Sequence, residues 1–300
     1  MCPAIFGKLL SEHKMTKRHD RKLSIAIPVS IVSDIPHLRE KTLEIGLIAR
    51  AAAIFRVNEI VVLSDKADAS QKRDKNLIVT LLSYVETPQY LRKRLFKIKP
   101  ELRYAGILPP LRTPHHPLEK RARKLKMGEY REGAVVSVTE AGSLVDIGVE
   151  RPLLIADRKL SMNRRVTVKV TKTGKHPEVA LAKLGEIKSY WGYTVNASKS
   201  SFGQLTKTNH YDLVIATSKL GTPFAEITDV LAERWKKSGK ILVAFGAPSQ
   251  GLQEIVAQDN LSLDKVADFT VNTIPCQGTE TVRTEEAVYA TLALLNTMDN

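Results

Sequence analysis

Residues 268–287 have the sequence DFTVNTIPCQGTETVRTEEA, in which a predicted strand, a polar loop and the start of a predicted helix follow one another. The first seven, Asp268–Ile274, are typical of a strand. A helix is predicted from Arg283 to Met298, because two acidic residues favour its dipole and Thr281 or Thr284 is a suitable cap. The helix signals do not explain the long polar loop before them. We therefore expect this loop to wrap around something.

A second loop, FGAPSQGL at residues 245–252, joins the predicted strand 240–245 to a short predicted helix, Gly251–Gln258. Gly246 and Gly251 allow close backbone approaches that a Cβ would prevent. Free N–H groups at a helix start are able to meet the oxygen atoms of a ligand. An ordinary tight turn is the competing interpretation, because glycine-rich turns are common.

Strands alternate with helices over both ends of the chain, which predicts an α/β fold with a parallel sheet. In the first helix, Leu43, Leu47, Ala51 and Ile54 recur at helical spacing and predict its buried face. The predicted strands are 23–33, 58–65, 103–108, 211–218, 240–245 and 268–274, and the predicted helices are 36–55, 74–96, 224–238, 251–258 and 283–298.

Five short β-type runs without a long helix occupy residues 129–182. This pattern predicts a small inserted barrel such as an OB-fold. The expected organisation is therefore a basic flexible arm at 1–22, a split α/β domain at 23–113 and 187–300, and an inserted OB-like β domain at 114–186.

The charge is concentrated in one place. The 300 residues include 46 Lys or Arg and 32 Asp or Glu, a net charge of +14. Residues 92–131 alone hold most of that excess, which predicts an RNA-binding approach to the insert. The competing interpretation is that these residues form an ordinary solvated basic surface. On that interpretation, His115 and His116 are turn residues without a function. The expected RNA contacts are Arg92, Lys93, Arg94, His115, His116, Lys120, Arg121, Arg123, Lys124 and Lys126.

The sequence gives little support for a disulfide framework, a membrane-spanning helix or a metal site. Two cysteines, Cys2 and Cys276, cannot form a disulfide framework, which favours a reducing, cytoplasmic compartment. No run approaches the roughly 18 apolar residues of a membrane-spanning helix. No Cys/His cluster is present, so we expect no metal site.

Three segments together resemble the SPOUT methyltransferases. They are GxxxRxAxxF at 46–55, FGxPxQGL at 245–252 and VNTIPCQGTxTxRTEEA at 271–287. The chain is most similar to the archaeal and eukaryotic SPOUT proteins that carry an OB-like insert, and YWGY at 190–193 and ATS at 216–218 fit that subfamily. The resemblance covers nearly the whole chain after residue 22.

The resemblance implies a parallel sheet whose C-terminal segment threads a loop to make a trefoil knot, an exception to the usual rule against threading. It also implies a homodimer and S-adenosylmethionine bound in the knot. The implied cofactor contacts are Thr217, Ser218, Phe245, Gly246, Gly251, Leu252, Asn272, Ile274, Pro275, Gln277, Gly278, Thr279 and Thr281.

The position of Arg50 matches a functional arginine of related SPOUT proteins, which usually carry Asn six residues earlier. This chain has Glu44 there. The resemblance therefore favours a base nitrogen, such as uridine N3, over a ribose hydroxyl. Because a cation stabilises a developing anion, Arg50 and Arg283 are the catalytic candidates, with Glu286 as an alternative base or a helix-dipole partner.

An RNA methyltransferase acting on ribosomal RNA is the leading interpretation. A protein methyltransferase and a non-catalytic RNA-binding ribosome-assembly factor stay open as alternatives.

Overall fold

A six-stranded parallel sheet and a five-stranded antiparallel sheet organise the computed structural model, which describes residues 21–65 and 69–299. The strands are β1 Lys22–Pro28, β2 Glu59–Leu63, β3 Tyr130–Thr139, β4 Gly142–Asp146, β5 Leu153–Ala156, β6 Arg165–Lys172, β7 Glu178–Leu181, β8 Thr194–Ala197, β9 Leu213–Pro223, β10 Lys240–Ala244 and β11 Phe269–Asn272. The helices are α1 Leu38–Ile54, α2 Ala69–Glu86, α3 Gln89–Leu95, α4 Phe202–Thr208, α5 Phe224–Lys237, α6 Leu252–Ala257 and α7 Thr284–Asn296.

The parallel sheet has the order β11-β9-β10-β1-β2-β8, with β1 between β10 and β2. Successive residues of β1 point to opposite faces, so Ile25 and Ile27 enter one hydrophobic core and Ala26 enters another. The first core is covered by α1, α2, α5 and α7, and the second by α4 and α6. Helices therefore cover both faces, and the predicted parallel sheet is confirmed.

The antiparallel sheet has the order β5-β4-β3-β6-β7 and holds a core of its own, including Val135, Val145 and Val168. Its five strands match the five β-type runs predicted between residues 129 and 182. The two edge strands, β5 and β7, also lie against each other. The sheet therefore curls around its own core.

Some predicted elements differ from the structure. Residues 103–108 form no strand, since this segment turns through 3₁₀ helices at Pro100–Leu102 and Ala105–Ile107. The first strand ends at Pro28, and a 3₁₀ turn, Val29–Val32, follows it. Pro88 divides the predicted helix 74–96 into α2 and α3. Residues 1–20 of the predicted arm lie outside the described residues.

The buried face of α1 also differs from the prediction. Leu43 and Ile54 are about half exposed, whereas Ile45, Ile48 and Ala49 are buried. Gly46 lies on the face that meets the 103–111 segment, because a Cβ there would stand 2.8 Å from the Leu108 side chain. Alanines on several sides of α1 make more than one face apolar, and tertiary packing selects among them.

Candidate functional site

Three loops at the carboxyl ends of neighbouring parallel strands line a cavity of about 340 Å³. They follow or interrupt β9, β10 and β11, which are neighbouring strands. Ligands of open α/β sheets bind outside the carboxyl ends of the strands, where these loops lie. The volume is within the usual range of small-molecule pockets.

The first loop is produced by a break in the pairing of β9 with β11. Thr270 pairs with Ala216, but its neighbour Val271 pairs with Thr222. Residues 217–221 therefore leave the ladder, and residues 217–220 form one wall of the cavity. Gly221 is required here, because a Cβ would lie 2.7 Å from the carbonyl oxygen of Thr270.

The second loop turns sharply after β10. Ala247 and Gln250 exchange backbone hydrogen bonds of 2.9 and 3.2 Å across the turn. A Cβ on Gly246 would meet the Gly251 Cα at 3.0 Å and the Leu252 nitrogen at 3.2 Å. The Thr284 hydroxyl donates a 2.9 Å bond to the Gly246 carbonyl, which ties this turn to the start of α7.

The third loop follows β11 and is held by amide side chains. Asn272 Nδ2 donates to the Lys219 carbonyl at 2.8 Å, and Asn272 Oδ1 accepts from the Ile274 nitrogen at 3.0 Å. Gln277 Nε2 donates to the carbonyls of Thr279 and Glu280 at 2.8 and 3.1 Å. Asn272 thus connects the third loop to the first.

Most of the predicted cofactor residues lie in the wall of this cavity. Phe245 does not, because its side chain is fully buried in the main core. Pro275, Gly278 and Thr279 lie in the exposed part of the third loop, away from the wall. The predicted residues that line the cavity are Thr217, Ser218, Gly246, Gly251, Leu252, Asn272, Ile274, Gln277 and Thr281.

Several lining residues were not predicted, and Gln250 and Thr284 are among them. Gln250 Oε1 is buried and accepts no hydrogen bond from the protein. A buried acceptor of this kind calls for a hydrogen-bond donor, which a ligand in the cavity is able to supply. Both residues lie inside the motifs quoted above, so their position in the motif was the available signal.

An ion pair stands beside the cavity, where α7 begins. Arg283 Nη1 lies 2.6 Å from Glu44 Oε1, and the neighbours of Arg283 in sequence, Val282 and Thr284, line the cavity. Burial, together with the nearby Glu285 carboxylate, raises the pKa of Glu44, although Arg283 opposes the shift. Burial also raises the pKa of Glu285. The α7 start therefore combines one guanidinium with closely spaced carboxylates.

The other two catalytic candidates have structural partners. Arg50 Nη1 donates to the carbonyls of Pro110 and Leu111 at 2.7 and 3.0 Å, so it holds the segment that crosses α1. Glu286 Oε2 accepts the backbone N–H of Arg283 at 2.9 Å. This bond caps α7 and accounts for Glu286 without a role as a base.

The predicted RNA contacts divide into an exposed set and a buried set. The members that are exposed to solvent are Lys93, Arg94, Lys120, Arg121, Arg123, Lys124 and Lys126, and Lys124 also pairs with Glu119 at 3.3 Å.

The other three predicted residues, Arg92, His115 and His116, are partly or fully buried. Arg92 donates to the carbonyls of Thr87 and Val85 at 2.8 and 2.9 Å, so its guanidinium points inward. His115 is fully buried. His116 Nε2 lies 2.7 Å from the Glu86 carbonyl, and burial and His115 lower the pKa of His116 to about 4. The His115 ring is therefore closed off from solvent, and the uncharged His116 ring has no charge with which to attract phosphate.

Within the described ranges, no three His, Cys, Asp or Glu side chains are grouped so as to hold a metal ion. The same residues include no helix long and apolar enough to cross a membrane. The cavity instead suits an organic ligand that donates a hydrogen bond to Gln250. The close turn at Gly246 leaves backbone groups at the cavity wall.

Several known proteins are similar to this chain over most of its length. A family model described as "Putative RNA methyltransferase" matches residues 22–295. A 28S rRNA (uridine-N(3))-methyltransferase of Mus musculus is 36% identical over 91% of this chain and 75% of its own length. One of Homo sapiens is 33% identical over 96% of this chain and 82% of its own. An uncharacterized protein of Haloarcula marismortui is 34% identical over 91% and 98%.

Proposed function

This chain belongs to that RNA methyltransferase family, and from this premise we propose that it methylates N3 of a uridine in ribosomal RNA, with S-adenosylmethionine as the donor. The observation that carries the donor assignment is the cavity built by the three loops, with its unpartnered Gln250 acceptor. The names of the mouse and human relatives support the target atom and the RNA class.

S-adenosylmethionine held by the three loops would supply an electrophilic methyl group to the uridine N3, and the N3 proton would pass to solvent. The chain's contribution is to hold the two reactants in line, which alone removes several kcal/mol from the barrier. The loop wall holds the donor, and the Arg283 guanidinium beside it stabilises the negative charge that develops on the uracil ring.

Arg50 acts in this proposal by fixing the segment at residues 110 and 111 against α1. Glu44 balances Arg283 and holds its guanidinium near the cavity. The exposed basic residues between 93 and 126 contact phosphates of the RNA.

The remaining expectations stay proposals: a trefoil knot in the C-terminal loops, an OB-like insert, cytoplasmic location and a homodimer. The homodimer is supported by α1, whose Leu43 and Ile54 side chains are exposed on one helix face. An exposed apolar stripe of this kind is typical of a surface that another protein covers.

The test is mass spectrometry of ribosomal RNA nucleosides from cells with and without the gene. We expect 3-methyluridine to fall when the gene is absent and to return when it is restored. Unchanged RNA nucleosides together with the loss of a methylated protein side chain would instead favour a protein methyltransferase. Calorimetry that detects no S-adenosylmethionine binding would favour the assembly factor.

A further inference from the structure

A cluster of buried and partly buried side chains lies where the insert meets the parallel-sheet domain. We call it the joint cluster and define it as Glu86, His115, Glu132, Arg165 and Trp191. Glu86 ends α2 and is buried. Arg165 of β6 donates to both of its carboxylate oxygens, at 2.6 and 3.0 Å. A guanidinium of the insert is therefore paired bidentately with a carboxylate of the other domain.

The same guanidinium also reaches a carboxylate of its own domain. Arg165 Nε donates to Glu132 Oε2 at 2.6 Å, and Glu132 is buried as well. The other oxygen of Glu132 accepts from Thr167 Oγ1 and from Trp191 Nε1, each at 2.6 Å. Arg165 thus bridges two carboxylates from different domains, and Trp191 brings in the segment that leaves the insert.

Both chain crossings between the domains are fastened at this point. On the way into the insert, His115 Nε2 lies 3.0 Å from Glu86 Oε1. On the way out, Gly192 approaches so closely that a Cβ would lie 2.5 Å from Glu86 Oε1 and 2.6 Å from the His115 ring. The flanking tyrosines are anchored too, since Tyr190 and Tyr193 donate to the carbonyls of Val57 and Leu82 at 2.8 and 3.0 Å.

The Glu86 carboxylate stays charged across the physiological pH range. Burial alone would raise the pKa of Glu86, but hydrogen bonds from His115 and Arg165 outweigh it and lower this pKa to about 2. Glu86 is therefore ionised at neutral pH and pairs with a charged Arg165. A flexible tether needs none of these contacts, and satisfying a buried ion pair on all sides restricts the two domains to one arrangement.

We propose that Arg165 is a positioning residue that holds the insert as a rigid arm, so that the RNA bound by the basic surface is presented at a fixed orientation to the cavity. The part of this inference that concerns RNA rests on the proposed function. The rigidity of the arm does not, and it is measured separately below.

The direct test measures the distance between the domains by double electron–electron resonance in the full chain. Spin labels at Lys175→Cys in the insert and Lys236→Cys on α5 use exposed positions, in a Cys2→Ser, Cys276→Ser background. We expect one narrow distance distribution for the parent and a broad one for Arg165→Met. Arg165→Lys keeps the positive charge but cannot donate two parallel hydrogen bonds to Glu86. We therefore expect its distance distribution to be intermediate in width.

The functional test compares RNA and donor binding by the same variants with native cysteines. Arg165→Met is expected to raise the KM for ribosomal RNA about tenfold or more, because misorientation of a bound substrate is costly. The Kd for S-adenosylmethionine should stay within about twofold, since the cavity is built by other segments. Arg164→Met removes an exposed arginine next to the joint cluster and controls for the loss of charge alone.

Equal distance distributions in the parent and Arg165→Met would overturn the proposal, as would equal KM increases in Arg165→Met and Arg164→Met. If the parent methylates no RNA, the proposed function fails, and the resonance measurement still decides whether Arg165 fixes the arm. Circular dichroism of each variant identifies any that does not fold. If Arg165→Met does not fold, the parent is compared with Arg165→Lys instead.

Discussion

Two glycines of one loop illustrate how differently the same residue type is constrained. A Cβ on Gly246 would press on backbone atoms of residues 251 and 252, which have no freedom to rotate away. A Cβ on Gly251 would meet only Glu254 Oε2, at 2.8 Å, the end of a flexible side chain. The Gly251 backbone has φ −72°, a value that any residue adopts.

We therefore expect Gly246→Ala to weaken S-adenosylmethionine binding by about 1–3 kcal/mol, roughly tenfold or more, because overpacking distorts the cavity wall. Gly251→Ala is the matched control and should change the Kd by less than about threefold. Isothermal titration calorimetry measures both. Equal losses in the two variants would show that the close approach at Gly246 is not what shapes the site.

Glu86 shows how burial and pairing act on one carboxylate. Its pKa in the folded protein, about 2, lies below the ordinary value of 4.5. A depressed folded-state pKa contributes stability that is present above the unfolded-state pKa and is lost as the pH falls through the folded-state value. The affected window is therefore about pH 4.5 down to pH 2.

Between pH 5 and pH 2, we expect the free energy of unfolding of the parent to fall by about 3 kcal/mol more than that of Glu86→Gln. Urea unfolding at a series of pH values, followed by circular dichroism, provides the measurement. Glu178→Gln, at an exposed ion pair, is the control and should retain the parent's pH profile. A Glu86→Gln profile parallel to that of the parent would contradict the assignment.

At the scale of elements, periodicity predicted where helices lie better than which way they face. Leu77, Leu81, Leu82 and Val85 of α2 recur at helical spacing and are all buried, because that helix has one apolar stripe. In α1, the alanines that follow Arg50 supply a second apolar surface, and the core selected Ile45 and Ile48 instead of Leu43 and Ile54.

Two further differences between the predicted and the observed elements have a similar cause. The 103–108 segment has strand-like residues, but it packs across α1 as turns instead of joining a ladder. Strand β8, Thr194–Ala197, escaped prediction because it is a short, mostly exposed edge strand without an apolar pattern. In both places the neighbouring elements, and not the local residues, determine the backbone conformation.

The exposed stripe on α1 leads to a prediction about assembly. If it forms the homodimer interface, Leu43→Lys combined with Ile54→Lys should convert a dimer into a 33.4 kDa monomer. Light scattering coupled to size-exclusion chromatography measures the mass. Met162→Lys in the insert, also at an exposed apolar side chain, should leave the dimer intact. A dimer that survives both α1 substitutions would place the interface elsewhere.

Over the whole molecule, the positions of the basic surface and of the cavity could be predicted from the sequence to different degrees. The basic window between 92 and 131 was evident from composition, but composition does not show that Arg92 and His115 turn inward to serve the domain junction. The cavity loops were located through their motifs. The Gln250 acceptor and the pairing break in β9 depend on contacts between distant residues, which no local pattern reveals.

The exposed basic residues predict a salt-dependent affinity for RNA. With about six phosphates neutralised, the slope of log K against log salt should be near −4 to −5. The triple variant Lys93→Ala, Arg94→Ala, Arg123→Ala should make this slope less steep by about 2 to 3. Fluorescence anisotropy with a labelled RNA fragment measures it.

Three exposed lysines far from this window, Lys207→Ala, Lys236→Ala and Lys237→Ala, form the control. Their combined removal should leave the slope near that of the parent. If both triple variants reduce it equally, the attraction belongs to the net charge of the protein and not to this surface.

The place of β1 in the sheet has a consequence for biosynthesis. β1 stands at the centre of the sheet and pairs Lys22 with Lys240 of β10, so the parallel sheet cannot be completed until β10 has been synthesised. The strands of the antiparallel sheet pair with near neighbours in the chain and are synthesised before β10. We therefore expect the antiparallel sheet to fold first during translation, and the parallel sheet to form after it.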